Sequence, residues 1–185
     1  LLIDISRQAG LLEPWIADGF KQRLGIVIFT RLGLQALRTS LKRFLTILLP
    51  GSAKPSYFRY FDARTLHCFL STGFPAQWQD FMQGIELIAA PSDYASNWAA
   101  YRLAGGKLQA GVEESGELHW TDVAALGRDE TYEAAFPFRR IAEPQYSALM
   151  QCADRSFSIE IAQFLLDAFP EECLQMQSND LLEQV

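Results

Sequence analysis

The sequence predicts an α/β fold: an N-terminal α/β lobe with a mixed sheet flanked by helices over residues 1–121, then a smaller, mostly helical C-terminal lobe over residues 122–185. Three observations carry this. The first ninety residues alternate short β-branched apolar runs with stripes of apolar residues at helical spacing. After Pro91 three alternating segments follow, split by Gly105-Gly106 and Ser115-Gly116, the grammar of hairpins. Beyond Thr121 the apolar residues recur mainly at helical spacing.

Leu1–Ile5 is a short apolar run and reads as a strand. Leu11, Leu12, Trp15, Ile16 and Phe20 form a helical stripe, with Pro14 tolerable in its first turn. Gly25–Thr30 is apolar and β-branched, the composition of a buried strand. Leu34, Leu37, Leu41 and Phe44 mark a second helix, Leu45–Leu49 a strand, and Pro50-Gly51-Ser52 a turn. Tyr57–Phe61 alternates as a further strand and ends at Asp62, placed to accept backbone N–H bonds as the N-cap of the next helix. Leu66, Phe69 and Leu70 line that helix, which stops near Gly73. Pro75 opens another, carrying Trp78, Phe81 and Met82, before a strand over Gly84–Ala90. Trp98–Leu103, Lys107–Val112 and Glu117–Trp120 are the hairpin strands. Phe157, Ile161, Phe164, Leu165, Ala168 and Phe169 form a helical stripe stopped at Pro170, and Glu171–Val185 reads as a last amphipathic helix.

At 185 residues, 49% hydrophobic and 21% charged, the chain has the make-up of a globular protein. A chain of this length buries roughly two-thirds of its unfolded surface, so folding requires neither disulfides nor metal. Cys68, Cys152 and Cys173 have no C-x-x-C spacing and sit among apolar residues, as buried free thiols of a reducing cytoplasm do. No apolar run reaches the ~18–20 residues of a membrane span. No secretory signal is recognisable; the opening Leu1-Leu2-Ile3, apolar and without Met, creates the expectation of a preceding segment.

Charge is unevenly spread. The sequence has 16 Lys/Arg and 22 Asp/Glu; ten bases and four acids fall in residues 1–64, leaving six and eighteen to the remainder. A cationic part beside an anionic one fits two lobes that attract, or two faces for two partners. Nucleic acid binding through the Arg31–Arg43 region is disfavoured by the acidic balance and by the lack of a known motif.

Catalytic chemistry finds little support. There are two histidines. His67 adjoins Cys68 on a helix, where neighbours point about 100° apart and form no dyad. His119 sits in alternating strand sequence beside Trp120 and reads as a satisfied or solvated histidine rather than a general base. Cys152 could meet His119 only through the fold. Glu113-Glu114 and Glu171-Glu172 read as solvated pairs, not as an acid and base whose environments differ. Nucleophile-elbow, zinc-protease and phosphate-loop motifs are missing, and no metal site is expected from such sparse His and Cys. The expectation is a protein that is not an enzyme and takes no cofactor.

Two segments point to partners. Arg38 and Lys42 share one face of the second helix, opposite Leu34, Leu37 and Leu41, and form a cationic strip suited to an acidic partner segment. Arg59 and Arg64 flank Asp62, where a cap and its ion pairs would hold the lobe together.

Three blocks resemble the effector adaptor (chaperone) family of bacterial type VI secretion systems, long described as a domain of unknown function. Leu37-Arg38 with Ser40-Leu41-Lys42-Arg43-Phe44-Leu45 resembles its Leu-Arg and His-Leu-Arg helix-to-strand block. Phe58-Arg59-Tyr60-Phe61-Asp62-Ala63-Arg64-Thr65-Leu66 resembles its phenylalanine-arginine-tyrosine-tyrosine-aspartate-proline-arginine signature. Gln77–Phe81 and Gly84 resemble its aromatic-glycine segment. Ser40, Lys42, Ala63 and Met82-Gln83 depart from the usual residues. The resemblance covers roughly residues 1–105, and the family's first strand and helix are expected to precede Leu1. It implies a non-enzymatic cytoplasmic adaptor that binds a cognate secreted toxin effector and loads it onto the C-terminal region of the VgrG spike protein. Residues 122–185 correspond by position to the family's variable lobe. A generic interaction module, with or without nucleic acid, and an unrecognised small enzyme are the alternatives.

Overall fold

Of the aromatic and aliphatic residues singled out above, Leu37, Leu41, Phe44, Leu66, Phe69, Leu70, Trp78, Phe81 and Met82 converge on one buried cluster. The computed structural model describes residues 3–5, 10, 12–14, 25–92, 98–114, 117–126 and 139–170. Its helices are α1 (Leu12–Pro14), α2 (Leu34–Lys42), α3 (Ala63–Ser71), α4 (Pro75–Phe81) and α5 (Glu143–Ala168). Its strands are β1 (Val27–Thr30), β2 (Thr46–Leu48), β3 (Pro55–Tyr57), β4 (Ile85–Pro91), β5 (Trp98–Ala104), β6 (Lys107–Glu114), β7 (Glu117–Asp122) and β8 (Arg139–Arg140).

The mixed α/β class and the helical C-terminal part are as the sequence implies, but the strands divide into two sheets. β1-β4-β5-β6-β7 form a five-stranded antiparallel sheet, and β3-β2-β8 a three-stranded one in which β2 pairs antiparallel with β3 and parallel with β8. The order β1-α2-β2 is therefore no crossover within one sheet. Pro50-Gly51 returns the chain at once, so β2 satisfies its backbone with β3 in register Ile47↔Ser56, while β1 pairs with β4. β1 is also not a buried strand: it is an edge among the described residues, and Phe29 is half exposed.

Two further strand expectations change. Ile3–Ile5 is irregular, and Leu1 and Leu2 lie outside the described residues. The strand expected over Tyr57–Phe61 is instead Pro55–Tyr57. Phe58 and Tyr60 still point inward and Phe61 outward, so the alternation is real. The backbone, however, turns there, with the Asp62 N–H donating to the Arg59 carbonyl at 2.9 Å. Burial alternates without sheet pairing because the side chains pack on α3 and α4 rather than on another strand. The helices expected over Leu11–Phe20 and Glu171–Val185 fall largely and wholly outside the described residues.

The hairpins match their pattern. Gly105 and Gly106 both have positive φ, 57° and 79°, the requirement of a two-residue turn whose twist suits the flanking strands. Beneath the five-stranded sheet, Leu108 and Ile88 are completely buried. Phe44, Phe58, Tyr60, Phe69 and Phe81 form a run of edge-on and tilted ring contacts with centroids 5.0–6.5 Å apart. Trp78 closes the cluster, its indole N–H donating to the Leu70 carbonyl at 3.0 Å. A Cβ on Gly73 would sit 2.2 Å from that indole nitrogen, which explains glycine at the α3–α4 junction.

The C-terminal part is tied into this core. β8 extends the second sheet, Ile141 belongs to the buried cluster, and Tyr146 and Leu149 of α5 pack against it. Gln77 and Gln145, both almost fully buried, exchange amide hydrogen bonds at 3.0 and 2.7 Å between α4 and α5. Each polar group satisfies the other, so the pair is tolerable in an apolar setting.

Candidate interaction site

Asp62 is the hinge of the strand-to-helix corner. Its carboxylate accepts from the backbone N–H groups of Arg64 (3.1 Å) and Thr65 (3.3 Å), an N-cap that satisfies two of the free amides opening α3. The same carboxylate faces two guanidinium groups, Arg64 at 3.6 Å and Arg59 at 3.8 Å. Arg64 reaches across to Glu160 of α5. The sequence-predicted trio Arg59, Asp62 and Arg64 is thus brought together, and a fourth member, Glu160, comes from nearly a hundred residues downstream.

These charges form the rim of a cleft of about 430 Å³ between the corner and α5. Ile47, Leu49, Phe58 and Cys68 line its apolar side, and Tyr146, Leu149, Ala153 and Phe157 descend from α5. An apolar wall with a charged rim has the chemistry to take an apolar side chain beside a charged or polar neighbour; no histidine is among the lining residues.

Arg38 and Lys42 lie elsewhere. Leu37 and Leu41 bury one face of α2, and both cations are exposed on the other, outside the cleft lining. The neighbouring Arg43 is spent inward: it donates to the Ser40 carbonyl and hydroxyl and to Gln83, and lies 3.4 Å from Asp80. Asp80 also takes a two-pronged bond from Arg139, whose guanidinium stands 5.4 Å from the Phe44 ring centre. This Arg43–Asp80–Arg139 network joins α2, α4 and β8. Sequence reasoning missed it, because its members are 37 and 59 residues apart and the only local hint was the single acid of α4.

The two histidines differ. His67 bridges α3 to the large sheet: its Nε2 lies 2.6 Å from the Pro91 carbonyl and its Nδ1 2.7 Å from the Tyr101 hydroxyl. A carbonyl can only accept, so Nε2 carries a proton, and in the neutral ring Nδ1 accepts from Tyr101. Both nitrogens are occupied in holding elements together. His119 stands exposed on β7, whereas Cys152 is half-buried on α5 and Cys68 is buried. Glu113 is exposed on β6, and Cys173 and Glu171-Glu172 lie outside the described residues.

Burial raises the Tyr60 phenol to about 12, with a smaller contribution from Tyr57. The ring is thereby kept neutral beneath the corner. On the far hairpin, Lys107 and Asp122 bond at 2.7 Å, which raises the former and lowers the latter. The guanidinium carbon of Arg102 lies over the Trp120 ring, 3.9 Å from its centre. Among the described residues no helix is long and apolar enough to cross a membrane.

Residues 1–80 match the family model of a domain of unknown function, DUF4123. The matched segment includes α2, the corner and α3, and nearly all of α4; it excludes the hairpins and α5. No curated protein and no solved structure matches the chain.

Proposed function

We propose that this chain is a non-enzymatic adaptor of bacterial type VI secretion, which binds a cognate toxin effector in the cytoplasm and delivers it to the C-terminal region of the VgrG spike protein. The observation that carries the reading is the DUF4123 match over residues 1–80, because that family is associated with type VI effector adaptors. The matched residues include the Phe58–Leu66 corner on which the sequence resemblance rests.

The side-chain chemistry is compatible with an interaction role. The most prominent charged cluster, Arg59–Asp62–Arg64–Glu160, is a helix cap with ion pairs around an apolar cleft. His67, the one histidine near it in sequence, has both ring nitrogens engaged in structural bonds. Arg59, Asp62 and Arg64 are assigned to maintaining the corner, and Arg38 and Lys42 to a weak contact with an acidic partner segment.

Co-expression with the products of neighbouring toxin and spike genes tests the reading. A tagged chain is expected to retain the toxin through affinity and size-exclusion steps, and the toxin-loaded complex to retain the spike tail. Recovery of neither partner overturns the proposal.

A further inference from the structure

The outer half of α5 carries large apolar side chains that stay mostly exposed. The helix is anchored at its start, where Gln145 is fully buried and Tyr146 and Leu149 pack on the core, and is pinned midway by the Arg64–Glu160 pair. Beyond that it keeps an apolar seam. At 100° per residue, Met150, Phe157, Ile161 and Phe164 fall within about 40° of one line along the helix. Phe157 is 62% exposed, Phe164 65% and Met150 44%. Two mostly exposed phenylalanines two turns apart, continuous with the apolar cleft that Phe157 itself lines, exceed the scattered hydrophobics of an ordinary surface.

Charge selects the occupant. Asp154 lies about 60° to one side of the seam and Asp167 about 80° to the other, next to Glu160, which is already paired with Arg64. All three are exposed, while Arg155, also exposed, projects from the opposite face of the helix. After Arg155 the sequence contains six acids and no Lys or Arg. A second copy packed seam to seam would set these acids against their equivalents, and the chain's own last fifteen residues are acidic as well.

We infer that the α5 seam docks a cationic amphipathic helix of a partner chain, with apolar residues at i, i+3 or i+4, and i+7 seated over Phe157, Ile161 and Phe164 and with Lys or Arg flanking them. This deepens the adaptor reading and rests on it for the partner being an effector; the surface itself rests on α5.

Fluorescence anisotropy of the full chain with labelled model helices of about 18 residues tests it. One peptide has a leucine seam flanked by lysines, one the same seam flanked by glutamates, and one is a scramble of the first. The basic helix is expected to bind at least about tenfold more tightly than either control, and Phe164→Asp to weaken it by about tenfold or more. Added salt is expected to weaken binding by a few-fold. The paired change Asp154→Lys and Asp167→Lys leaves the seam intact and is expected to reverse the preference between basic and acidic helices. Equal binding of both helices, indifference to Phe164→Asp, or a dimer in sedimentation that Phe164→Asp dissociates would each overturn the inference. If the co-expressed effector stays bound to the Phe164→Asp protein, the inference fails and the adaptor reading stands. If the wild-type chain binds the basic helix yet retains no effector, the adaptor reading fails and the seam stands.

Discussion

The Arg59–Arg64 corner and the outer half of α5 are opposite solutions to the same packing problem. At the corner, Phe58 and Tyr60 are buried, and Asp62 is occupied by two backbone amides and two guanidinium groups. On α5, Phe157 and Phe164 sit at positions where a core would be built, yet most of each side chain faces solvent. The corner's side chains are engaged within the fold, so its distinctive sequence reports how the lobe is held together. The seam's side chains have free surface to offer. A recognisable motif and an exposed apolar surface need not coincide, and here they lie on different elements.

Breaking the closed region should produce the largest effects. Phe81→Ala removes a fully buried ring in contact with Phe44, Tyr60 and Phe69, and is expected to cost about 3–5 kcal/mol in urea unfolding. Asp80→Ala leaves Arg139, 8% exposed, without its counter-ion; the expected loss is of similar size, about 3–5 kcal/mol, and a paired Arg139→Met change should recover part of it. Asp62→Ala deletes the cap of α3 and is expected to cost about 0.5–2 kcal/mol while effector retention persists. An unchanged melt with lost retention would transfer the corner from scaffold to binding surface.

Tyr60 gives a pH-dependent version of the same contrast. Its phenol titrates near 10 when unfolded and about 12 when folded, so its neutral form is favoured by the fold. That contribution is fully present below pH 10 and is lost as pH rises from 10 towards 12. Tyr60→Phe should therefore flatten the alkaline fall in melting temperature and leave the neutral-pH melt nearly unchanged. The smallest effect on stability is expected at the seam, where Phe164→Asp should shift unfolding by no more than about 0.5 kcal/mol. A large loss there would mean that Phe164 packs within the fold, and the contrast between the two regions would collapse.

Much of the local structure was legible from the residues. Asp62 followed by an apolar helical stripe announced the cap of α3, Pro75 the start of α4, and Gly105-Gly106 the β5–β6 hairpin. Leu37 and Leu41 were placed inside, and Arg38 and Lys42 outside, by periodicity alone. Burial near Tyr60 was also legible, but its strand was not: side chains can alternate in and out wherever a segment crosses a core, with or without a neighbouring strand. The stripe from Phe157 to Phe169 was read as a helix, while its exposure depended on what the rest of the chain leaves uncovered.

The sequence by itself determined the α/β class, most element types, the inward faces of α2 and α3, and the Asp62 cap. Those features depend on interactions a few residues apart, which periodicity and side-chain chemistry encode directly. Tertiary structure alone decided that β1 and β2 enter different sheets, that Asp80 joins Arg43 to Arg139, that Gln77 meets Gln145, and that Arg64 reaches Glu160. Each of these couples residues brought together only by chain packing. An isolated charge or amide carries no label for its distant partner; the partner emerges when burial makes an unpaired polar group costly.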